Sequence, residues 1–453
     1  MLNFNIPLPI NFILEKIEEQ GYEAYLVGGC VRDFVLGREV ADYDITTNAH
    51  PKEVLKIFDG SAYVVGTGLK HGTVTVIKEN FSAEITTFRV DGYYKDNRHP
   101  ENVQFSSSLE DDVLRRDFTV NALAYSPKRG LKDFTGGLDD IKKRIIRCVG
   151  EPAVRFKEDS LRILRGIRFS SVLGFDIDKL TADTILNKAY LLGNISKERI
   201  SVEFLKLLCG ENAEEVLLKY RDVIAVFIPQ IKNSFDFEQF TPYHKYDVYT
   251  HSVKAVCATD NNDKVLRISA FLHDVGKPDC FFTDTNGIGH FYGHAQKSTE
   301  IAKEILTDLR FDNGFKENVL QLIKHHDAPI ENDEKRIKRL LKNLGEKQFF
   351  RLLSLQRADN AAQSEIVFYR RARFDAVEET AKRILSEKSC FSLSDLAING
   401  KDLLSLGLPQ GKIIGNILNQ LLDDVIENKT VNKKEALLKL AEKYGGIDDG
   451  KLW

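Results

Sequence analysis

The alternation of apolar and polar positions divides the chain into two parts of different character. In the first part, several short apolar or β-branched runs have the length of strands, at residues 25–27, 63–65, 73–77 and 83–88. Residues 51–58 have helical spacing, which returns at 155–169 and dominates the chain beyond residues 210–240. The pattern predicts an α+β N-terminal region, a small mixed sheet with helices, followed by an all-α remainder.

The composition is typical of a globular protein and is compatible with the predicted fold. The 453 residues are 43% hydrophobic and 29% charged, which is ordinary for a globular protein. No apolar run approaches the roughly 18 residues of a membrane span, and no basic leader precedes the first apolar residues. Six cysteines without a CxxC pair indicate reduced thiols. We therefore expect a cytoplasmic protein with no membrane partner.

The charge balance does not by itself indicate a nucleic-acid binder, because the net charge is −3. Local basic clusters nevertheless occur at residues 142–147, 335–342 and 370–373. Each cluster is either a solvated helix face or part of an RNA-binding surface, and the sequence leaves both readings open.

A glycine pair ends the first apolar run, in the stretch YLVGGCVRDFVLGREVADYDI at residues 25–45. After Gly28 and Gly29, a helix from Cys30 onward would direct free amides and its positive dipole end toward the turn. Arg32 lies in the first turn of this helix and suits a two-pronged contact with a phosphate. This part of the stretch therefore predicts a phosphate site.

Two aspartates follow in a second extended run. Residues i and i+2 of a strand face the same side, so Asp42 and Asp44 reach into one space. Paired carboxylates beside a triphosphate favour Mg²⁺ and phosphoryl-type transfer. Glu84 adds a third carboxylate if its strand lies beside that of Asp42; the alternative is a surface glutamate.

The pattern GGxVRDxxL…DxD resembles the first motif of the class II tRNA nucleotidyltransferase and bacterial poly(A) polymerase family, where it forms the nucleotide-transfer centre. The resemblance implies Mg²⁺-dependent transfer with Asp42 and Asp44 as catalytic metal ligands. The later stretch RRDFTVNA is similar to the family's ribose-recognition motif, which implies nucleotide contacts by Arg115, Arg116, Asp117 and Asn121. Residues 133–140 resemble the family's hinge between head and neck.

A helical pattern at residues 155–169 places three charged residues on one stripe and two on its flanks. The plain alternative is a salt-bridged surface helix. A carboxylate that accepts beside a guanidinium that donates can, however, complement either cytosine or adenine. The stretch EDSLRILRGIR resembles the family's base-recognition motif, which implies nucleotide binding by Glu158, Asp159, Arg162, Arg165 and Arg168. A last motif, which resembles a structural brace of the neck, contains Glu198, Arg199 and Glu203.

Histidines gather in the helical second half in the order H…HD…H…HH…D. A lone histidine is usually a core residue, but seven potential ligands in this order predict a metal site. The order resembles the HD phosphohydrolase superfamily, in which His and Asp hold one or two divalent metals that activate water. It implies a divalent transition metal or Mg²⁺ held by His251, His273, Asp274, His294, His325 and Asp359. His290 competes with His294 as the ligand, and His326 competes with His325.

A polar, glycine-bearing loop at residues 89–100 separates the strand at 83–88 from the arginine motif. It resembles the flexible loop that family members able to add A possess and CC-only members lack. This favours full CCA addition, with A-only addition as the closest alternative.

These resemblances cover essentially the whole chain and imply four domains: a nucleotidyltransferase head at 1–145, a neck with the base-recognition helix at 146–225, an HD metal-dependent domain at 226–380 and a helical tRNA-binding tail at 381–453. The implied function is template-independent addition or repair of the 3′-terminal CCA of tRNA from CTP and ATP, with a second, phosphohydrolase activity. The alternatives are an A-only or CC-only enzyme, a poly(A) polymerase and, in a different class, an HD phosphohydrolase with a nucleotide- or RNA-binding head. The oligomeric state stays open.

Overall fold

The computed structural model describes residues 4–66, 68–69, 72–91, 103–387 and 389–446. The chain forms two compact units, the first of Met1–Lys232 with Asp308–Phe311 and the second of Asn233–Thr307 with Asp312–Trp453. Most of the predicted loop, residues 92–100, lies outside the described part of the chain. The division into four domains stays a prediction.

The first unit contains short strands that belong mainly to one sheet. Their bounds are β1 (Ala24–Val27), β2 (Tyr43–Thr47), β3 (Tyr63–Val65), β4 (Thr73–Lys78), β5 (Phe81–Thr87), β6 (Arg89–Asp91), β7 (Val103–Phe105), β8 (Leu123–Ser126), β9 (Gly130–Asp133), β10 (Ile145–Ile146) and β11 (Asp176–Ile177). The main sheet has seven strands in the order β3-β4-β5-β2-β1-β8-β9. Strands β2 and β5 are parallel and the other neighbours are antiparallel, so the predicted mixed sheet is confirmed.

The centre of this sheet is fully buried, which explains why β1 is a continuous apolar run without alternation. Tyr25 and Val27 pack in a core cluster with Phe88, Val113 and Val149. The ends of the central strands are thereby held rigidly, and these ends carry the polar side chains described below.

The helices of the first unit are α1 (Leu8–Glu19), α2 (Gly29–Leu36), α3 (Pro51–Phe58), α4 (Leu109–Leu114), α5 (Gly137–Lys143), α6 (Pro152–Glu158), α7 (Leu161–Leu173), α8 (Lys179–Lys188), α9 (Lys197–Leu208), α10 (Ala213–Lys219) and α11 (Arg221–Ile224). Short 3₁₀ helices lie at Thr119–Asn121, Ala189–Asn194 and Pro229–Ser234.

The prediction of one continuous helix at residues 155–169 was wrong, because the chain breaks between α6 and α7. Asp159 has extended backbone angles (φ −134°, ψ 102°), and its carboxylate accepts from the amide of Leu161 at 3.1 Å. The same carboxylate binds both terminal nitrogens of Arg199, at 2.9 and 3.3 Å. Aspartate competes for backbone amides in this way, and the tertiary ion pair holds the break in place.

The second unit is helical apart from a short hairpin of β12 (Phe282–Thr283) and β13 (Gly289–His290), among the residues described. Its helices are α12 (Val248–Cys257), α13 (Lys264–Leu272), α14 (His294–Asp308), α15 (Asn313–His325), α16 (Glu334–Leu344), α17 (Glu346–Ala362), α18 (Arg371–Ser386), α19 (Gly400–Ser405), α20 (Lys412–Ile426) and α21 (Lys434–Gly445). Further 3₁₀ helices lie at Pro278–Cys280, Glu365–Arg370 and Leu393–Asp395. The predicted helical remainder is confirmed.

One predicted basic cluster, at residues 335–342, contacts the C-terminal helices of the same unit. Lys342 pairs with Asp423 at 2.7 Å, and Lys335 donates to the carbonyl of Glu427 at 2.8 Å. This face of α16 is therefore at least partly a structural contact. In the part of the chain that is described, no helix is long and apolar enough to cross a bilayer.

Candidate functional site

Strand β1 ends in a turn that places the N-terminus of α2 beside the aspartates of β2. Gly28 has φ +78° and ψ −137°, a conformation open essentially to glycine alone. A Cβ at this position would lie 3.2 Å from Nη1 of Arg116 and 3.6 Å from Oδ2 of Asp44. The helix begins at Gly29, one residue earlier than predicted, so its free amides face the same space.

The sheet register brings the predicted carboxylates together. Asp44 pairs with Val27 on β1 and with Glu84 on β5, so the strand of Glu84 does lie beside that of the aspartates. Asp42 precedes Tyr43, the first residue of β2. Partial desolvation, together with the charges of Glu84 and Asp42, raises the pKa of Asp44, although Arg116 opposes the shift. A carboxylate whose pKa is raised by its neighbours is stabilised by a cation placed among them.

Asp112 in α4 anchors the two arginines of the second motif. Its Oδ1 accepts from Nε and Nη2 of Arg115 at 2.9 and 2.7 Å, and its Oδ2 accepts from Nη2 of Arg116 at 3.2 Å. Burial raises the pKa of Asp112, but the two arginines outweigh burial and lower it below its ordinary value. Asp112 was not among the predicted residues, although its spacing of three and four residues from the arginine pair indicates such a contact.

A second buried carboxylate, Asp117, connects the head to α7. Its Oδ2 accepts from Nε of Arg165 at 2.8 Å, and its Oδ1 accepts from the amide of Phe118 at 2.8 Å. Burial raises the pKa of Asp117, but the pairing with Arg165 outweighs this effect and lowers the pKa to about 2. Arg168, one turn further along α7, donates to Glu203 at 2.9 Å.

Three guanidinium groups surround the ring of Phe169. The Cζ atom of Arg168 lies 3.6 Å from the ring centroid, and those of Arg165 and Arg32 lie at 5.3 and 5.4 Å. Arg32 is also held by Asp33, to which it donates twice at 2.9 Å. Stacking and pairing fix these guanidinium planes in advance, which lowers the entropy lost when an anion binds.

One cavity of about 320 Å³ collects most of the predicted residues of this unit. Its lining includes Gly28, Gly29, Arg32, Asp42, Asp44, Arg116, Asp117, Asn121, Arg165 and Arg168, as predicted, and also Cys30, Asp33, Glu39, Ala41 and Phe169. The cavity thus combines the carboxylates of Asp42 and Asp44 with several surrounding guanidinium groups, an arrangement that suits the binding of a metal–triphosphate complex.

Four predicted nucleotide-binding residues do not line this cavity: Arg115, Glu158, Asp159 and Arg162. Arg162 donates to Glu158 at 2.8 Å and to the carbonyl of Arg115 at 3.0 Å. Asp159 is held by Arg199, as described above. The predicted base-recognition residues are therefore divided in the structure. Arg165 and Arg168 line the cavity, whereas Glu158, Asp159 and Arg162 lie outside its lining and are held in ion pairs.

In the second unit, histidines and aspartates from several helices converge on Asp274. Nε2 of His251 and His273 lie 3.3 and 3.2 Å from its Oδ2, and Nε2 of His294 and His326 lie 3.4 and 3.5 Å from its Oδ1. Asp359 approaches His251 at 2.9 Å. Two metal-sized groups result, sharing Asp274: one of His251, His273, Asp274 and Asp359, the other of Asp274, His294 and His326.

The choice of His325 as a ligand was wrong in this geometry. Consecutive residues of a helix point about 100° apart, so only one of the pair at the end of α15 can face the cluster. His326 is buried and faces it, whereas His325 is half-buried outside it. His290 also lies outside the two groups and pairs with Asp284 at 3.0 Å, which leaves His294 as the member of the cluster.

Backbone carbonyls fix the tautomer of these rings. Nδ1 of His251, His273, His294 and His326 lies 3.4, 2.8, 2.8 and 2.7 Å from the carbonyl oxygens of Ala362, Ala270, Phe291 and Ile323, respectively. A carbonyl only accepts, so each Nδ1 carries the proton and each Nε2 faces Asp274 as a potential ligand.

The cluster has the donor set and the unsatisfied atoms of a metal centre. Nε2 of His251 and His273 and both carboxylate oxygens of Asp274 are buried without a properly oriented hydrogen bond, although Nζ of Lys277 lies 2.7 Å from Oδ2 of Asp274. Burial lowers the pKa of His273, but Asp274 and Asp359 outweigh it and raise the pKa to about 10 in the metal-free protein. Histidine Nε2 atoms and carboxylate oxygens gathered in two such groups are the ligands that divalent metals take in proteins, so the cluster is a candidate metal centre.

Family models match three segments of the chain. The "Poly A polymerase head domain" matches residues 24–147, the "Probable RNA and SrmB- binding site of polymerase A" matches 174–235, and a model of tRNA nucleotidyltransferase domain 2 matches 282–441. The first match contains the glycine turn, Asp42 and Asp44, and the arginine motif.

Relatives match over nearly the full length. A CCA-adding enzyme of Ligilactobacillus salivarius is 33% identical over 440 residues, 95% of each chain, and one of Leuconostoc mesenteroides is 33% identical over 442 residues, again 95% of each. A CCA-adding enzyme of Geobacillus thermodenitrificans is 49% identical over 205 residues, which are 45% of this chain and 50% of that protein.

Solved structures agree with this relationship. The CCA-adding enzyme of Bacillus stearothermophilus in complex with CTP has a TM-score of 0.72 and 27% identity, covering 98% of this chain and 99% of that one. The Thermotoga maritima CCA-adding enzyme complexed with tRNA shares the fold, with a TM-score of 0.57 at 20% identity over 98% and 97% of the chains. Identity over nearly the whole length and a common fold show that this chain belongs to the CCA-adding enzyme family of nucleotidyltransferases.

Proposed function

We propose that the first unit adds the 3′-terminal CCA to tRNA, using CTP and ATP as substrates and Mg²⁺ as the cofactor. The observation that carries this proposal is the cavity in which Asp42 and Asp44 face the N-terminus of α2 and the guanidiniums of Arg116 and Arg165. Nucleotidyltransferases of this family use a divalent metal, and the carboxylate oxygens here suit Mg²⁺.

The chemistry follows from this arrangement. The 3′-hydroxyl oxygen of tRNA attacks the α-phosphorus, and the bond from that phosphorus to the oxygen that bridges the α- and β-phosphates breaks. Pyrophosphate leaves, and the hydroxyl proton passes to solvent water. Asp42 and Asp44 would hold Mg²⁺, which when bound lowers the pKa of the hydroxyl and neutralises the leaving group. The amides of α2 and Arg116 bind the triphosphate, and Gly28 leaves room for its close approach.

Base selection by Asp159 and Arg162 stays a prediction. Both side chains already have partners, Arg199 and Glu158, so a bound base would exchange these ion pairs for its own hydrogen bonds. The partners keep the acceptor and the donor oriented in the absence of nucleotide, which suits discrimination of C and A from U and G.

An assay with three tRNA transcripts tests this function. Transcripts that end before CCA, at C and at CC are incubated with CTP, ATP or both, and the products are resolved at single-nucleotide length. With both nucleotides present, we expect the wild-type protein to complete the CCA end of all three transcripts. In Asp44→Asn we expect both CMP and AMP incorporation to fall by more than about 10³-fold, because one metal centre serves both steps. Extension of only the CC-ended transcript by the wild-type protein would replace this proposal with A-only addition.

A second function is favoured by the buried cluster around Asp274. We infer that it holds one or two divalent metals and hydrolyses phosphate esters, because four histidine Nε2 atoms and two carboxylates converge in two metal-sized groups that share Asp274. Metal analysis of the purified protein, and hydrolysis assays with added Mn²⁺, Ni²⁺, Co²⁺ or Mg²⁺, test this inference. Absence of both bound metal and hydrolysis under all these conditions would contradict it.

A further inference from the structure

Asp359 opens the cluster of the second unit to a cavity. Its side chain is 21% exposed, whereas those of the other cluster members are at most 9% exposed. Asp359 also lines a cavity of about 330 Å³, which is large enough for a phosphate ester. A molecule bound in this cavity therefore contacts a predicted metal ligand directly.

Two arginines line the same cavity. Arg370 ends the 3₁₀ helix Glu365–Arg370, and Arg373 lies in the first turn of α18. Among the described residues neither arginine forms an ion pair, and Nε of Arg373 is buried without a hydrogen bond. The Cζ atom of Arg370 lies 5.9 Å from the ring centroid of Tyr369. Unpaired guanidinium donors in a cavity favour an anion with several acceptor oxygens.

The charge of the cavity depends on the metal. Asp327 and Asp359 contribute two carboxylates to the lining, which balance Arg370 and Arg373 in the metal-free protein. Cations held by the cluster neutralise Asp359 and leave the cavity positive. Anion binding is therefore strongest in the metal-loaded protein.

We propose that Arg370 and Arg373 form the phosphate-binding subsite of the metal cluster, and that its substrate class is the phosphomonoester. Two guanidiniums match a dianionic phosphate better than the single charge of a diester. In the reaction, water oxygen bonds to phosphorus and the ester P–O bond breaks. The alcohol leaves with a proton and inorganic phosphate remains. This proposal rests on the hydrolytic function proposed above.

The test compares Arg370→Gln and Arg373→Gln with a matched control, Arg371→Gln. Arg371 is exposed, stacks on Phe368 at 3.7 Å and does not line the cavity. Each full-length protein is loaded with Mn²⁺ and titrated with inorganic phosphate by calorimetry. Hydrolysis of p-nitrophenyl phosphate is then measured, and circular dichroism with urea unfolding of each variant serves as the check on folding.

We expect the two cavity variants to weaken phosphate binding about tenfold and to raise KM by a similar factor, with kcat within about threefold of wild type. Arg371→Gln should match the wild-type protein. Wild-type phosphate affinity in both cavity variants overturns the subsite, even if hydrolysis is observed. Arginine-dependent phosphate binding without any hydrolysis would instead support the subsite and reject the hydrolytic function.

Discussion

The buried Asp112 and the largely buried Asp117 set the positions of Arg116 and Arg165 in the nucleotidyltransferase cavity. Asp112, which lies in α4, binds Arg115 and Arg116. Asp117 binds Arg165, which lies in α7. The pKa of both carboxylates is lowered by these partners, so both stay charged at neutral pH. Breaking either pair would leave a buried charge without compensation, which is more costly than the pair itself is stabilising.

The pair of Asp117 and Arg165 predicts a pH-dependent contribution to stability. The folded pKa of about 2 lies below the ordinary 3.8, so the stabilisation is complete above pH 4 and is lost as the pH falls toward 2. The shift corresponds to about 2 kcal/mol. We expect Asp117→Asn to lower the free energy of unfolding by about this amount at pH 7, in urea titrations followed by circular dichroism.

The difference in free energy of unfolding between the wild-type protein and Asp117→Asn should shrink as the pH falls from 4 to 2, because the wild-type carboxylate becomes protonated in this range. The exposed Asp59 provides a control, since Asp59→Asn removes a solvated charge on the same unit. A difference for Asp117→Asn that is independent of pH would mean that shape, rather than the ion pair, is responsible.

At the scale of elements, we expect the turn between β1 and α2 to control how closely a triphosphate approaches the aspartates. Gly28 and Gly37, at the two ends of α2, both have positive φ, +78° and +65°. An added Cβ meets Arg116 and Asp44 at Gly28 but meets nothing within 4 Å at Gly37. Substitution of Gly37 therefore introduces backbone strain alone, whereas substitution of Gly28 introduces backbone strain and also crowds the site.

We expect Gly28→Ala to raise KM for CTP and ATP by about tenfold or more, and Gly37→Ala to leave the kinetics of nucleotide addition unchanged. Both substitutions should lower stability by about 1–2 kcal/mol, because alanine resists positive φ. Steady-state kinetics and urea unfolding of the two variants make the comparison. Unchanged kinetics in Gly28→Ala would show that the triphosphate does not approach this turn.

For the whole molecule, the two candidate sites are built from separate parts of the chain. The described residues of the nucleotidyltransferase cavity all belong to Met1–Lys232, and those of the metal cluster all belong to the second unit. No side chain is shared, so the two chemistries have independent ligands.

We therefore expect Asp274→Ala to abolish phosphoesterase activity while nucleotide addition to tRNA stays within about twofold of wild type. Asp44→Asn should have the opposite effect. After chelation, Mg²⁺ alone should restore nucleotide addition. A loss of CCA addition in Asp274→Ala, in a protein with wild-type circular dichroism, would show that the cluster supports the fold or the transfer reaction.

Local sequence determined much of this protein. Five of the seven strands of the main sheet (β1 to β5), the glycine turn, the paired aspartates and the helical second half follow from spacing and turn chemistry within a few residues, whereas β8 and β9 were not predicted. The motif of paired arginines followed by Asp117 also lies at the cavity in part, through Arg116 and Asp117. These features depend on neighbours along the chain, which a single sequence displays.

Only the tertiary structure decided the rest. Glu84 faces Asp44 because β2 and β5 pair in parallel across an intervening helix and hairpin, which no local pattern specifies. The break at Asp159 depends on Arg199, 40 residues away. His326 rather than His325 joins the cluster because the packing of α15 fixes which face is buried. In each case the structure depends on contacts between residues far apart in sequence. Strand pairing, helix packing and the burial of charged groups select these contacts, and a local pattern does not contain that information.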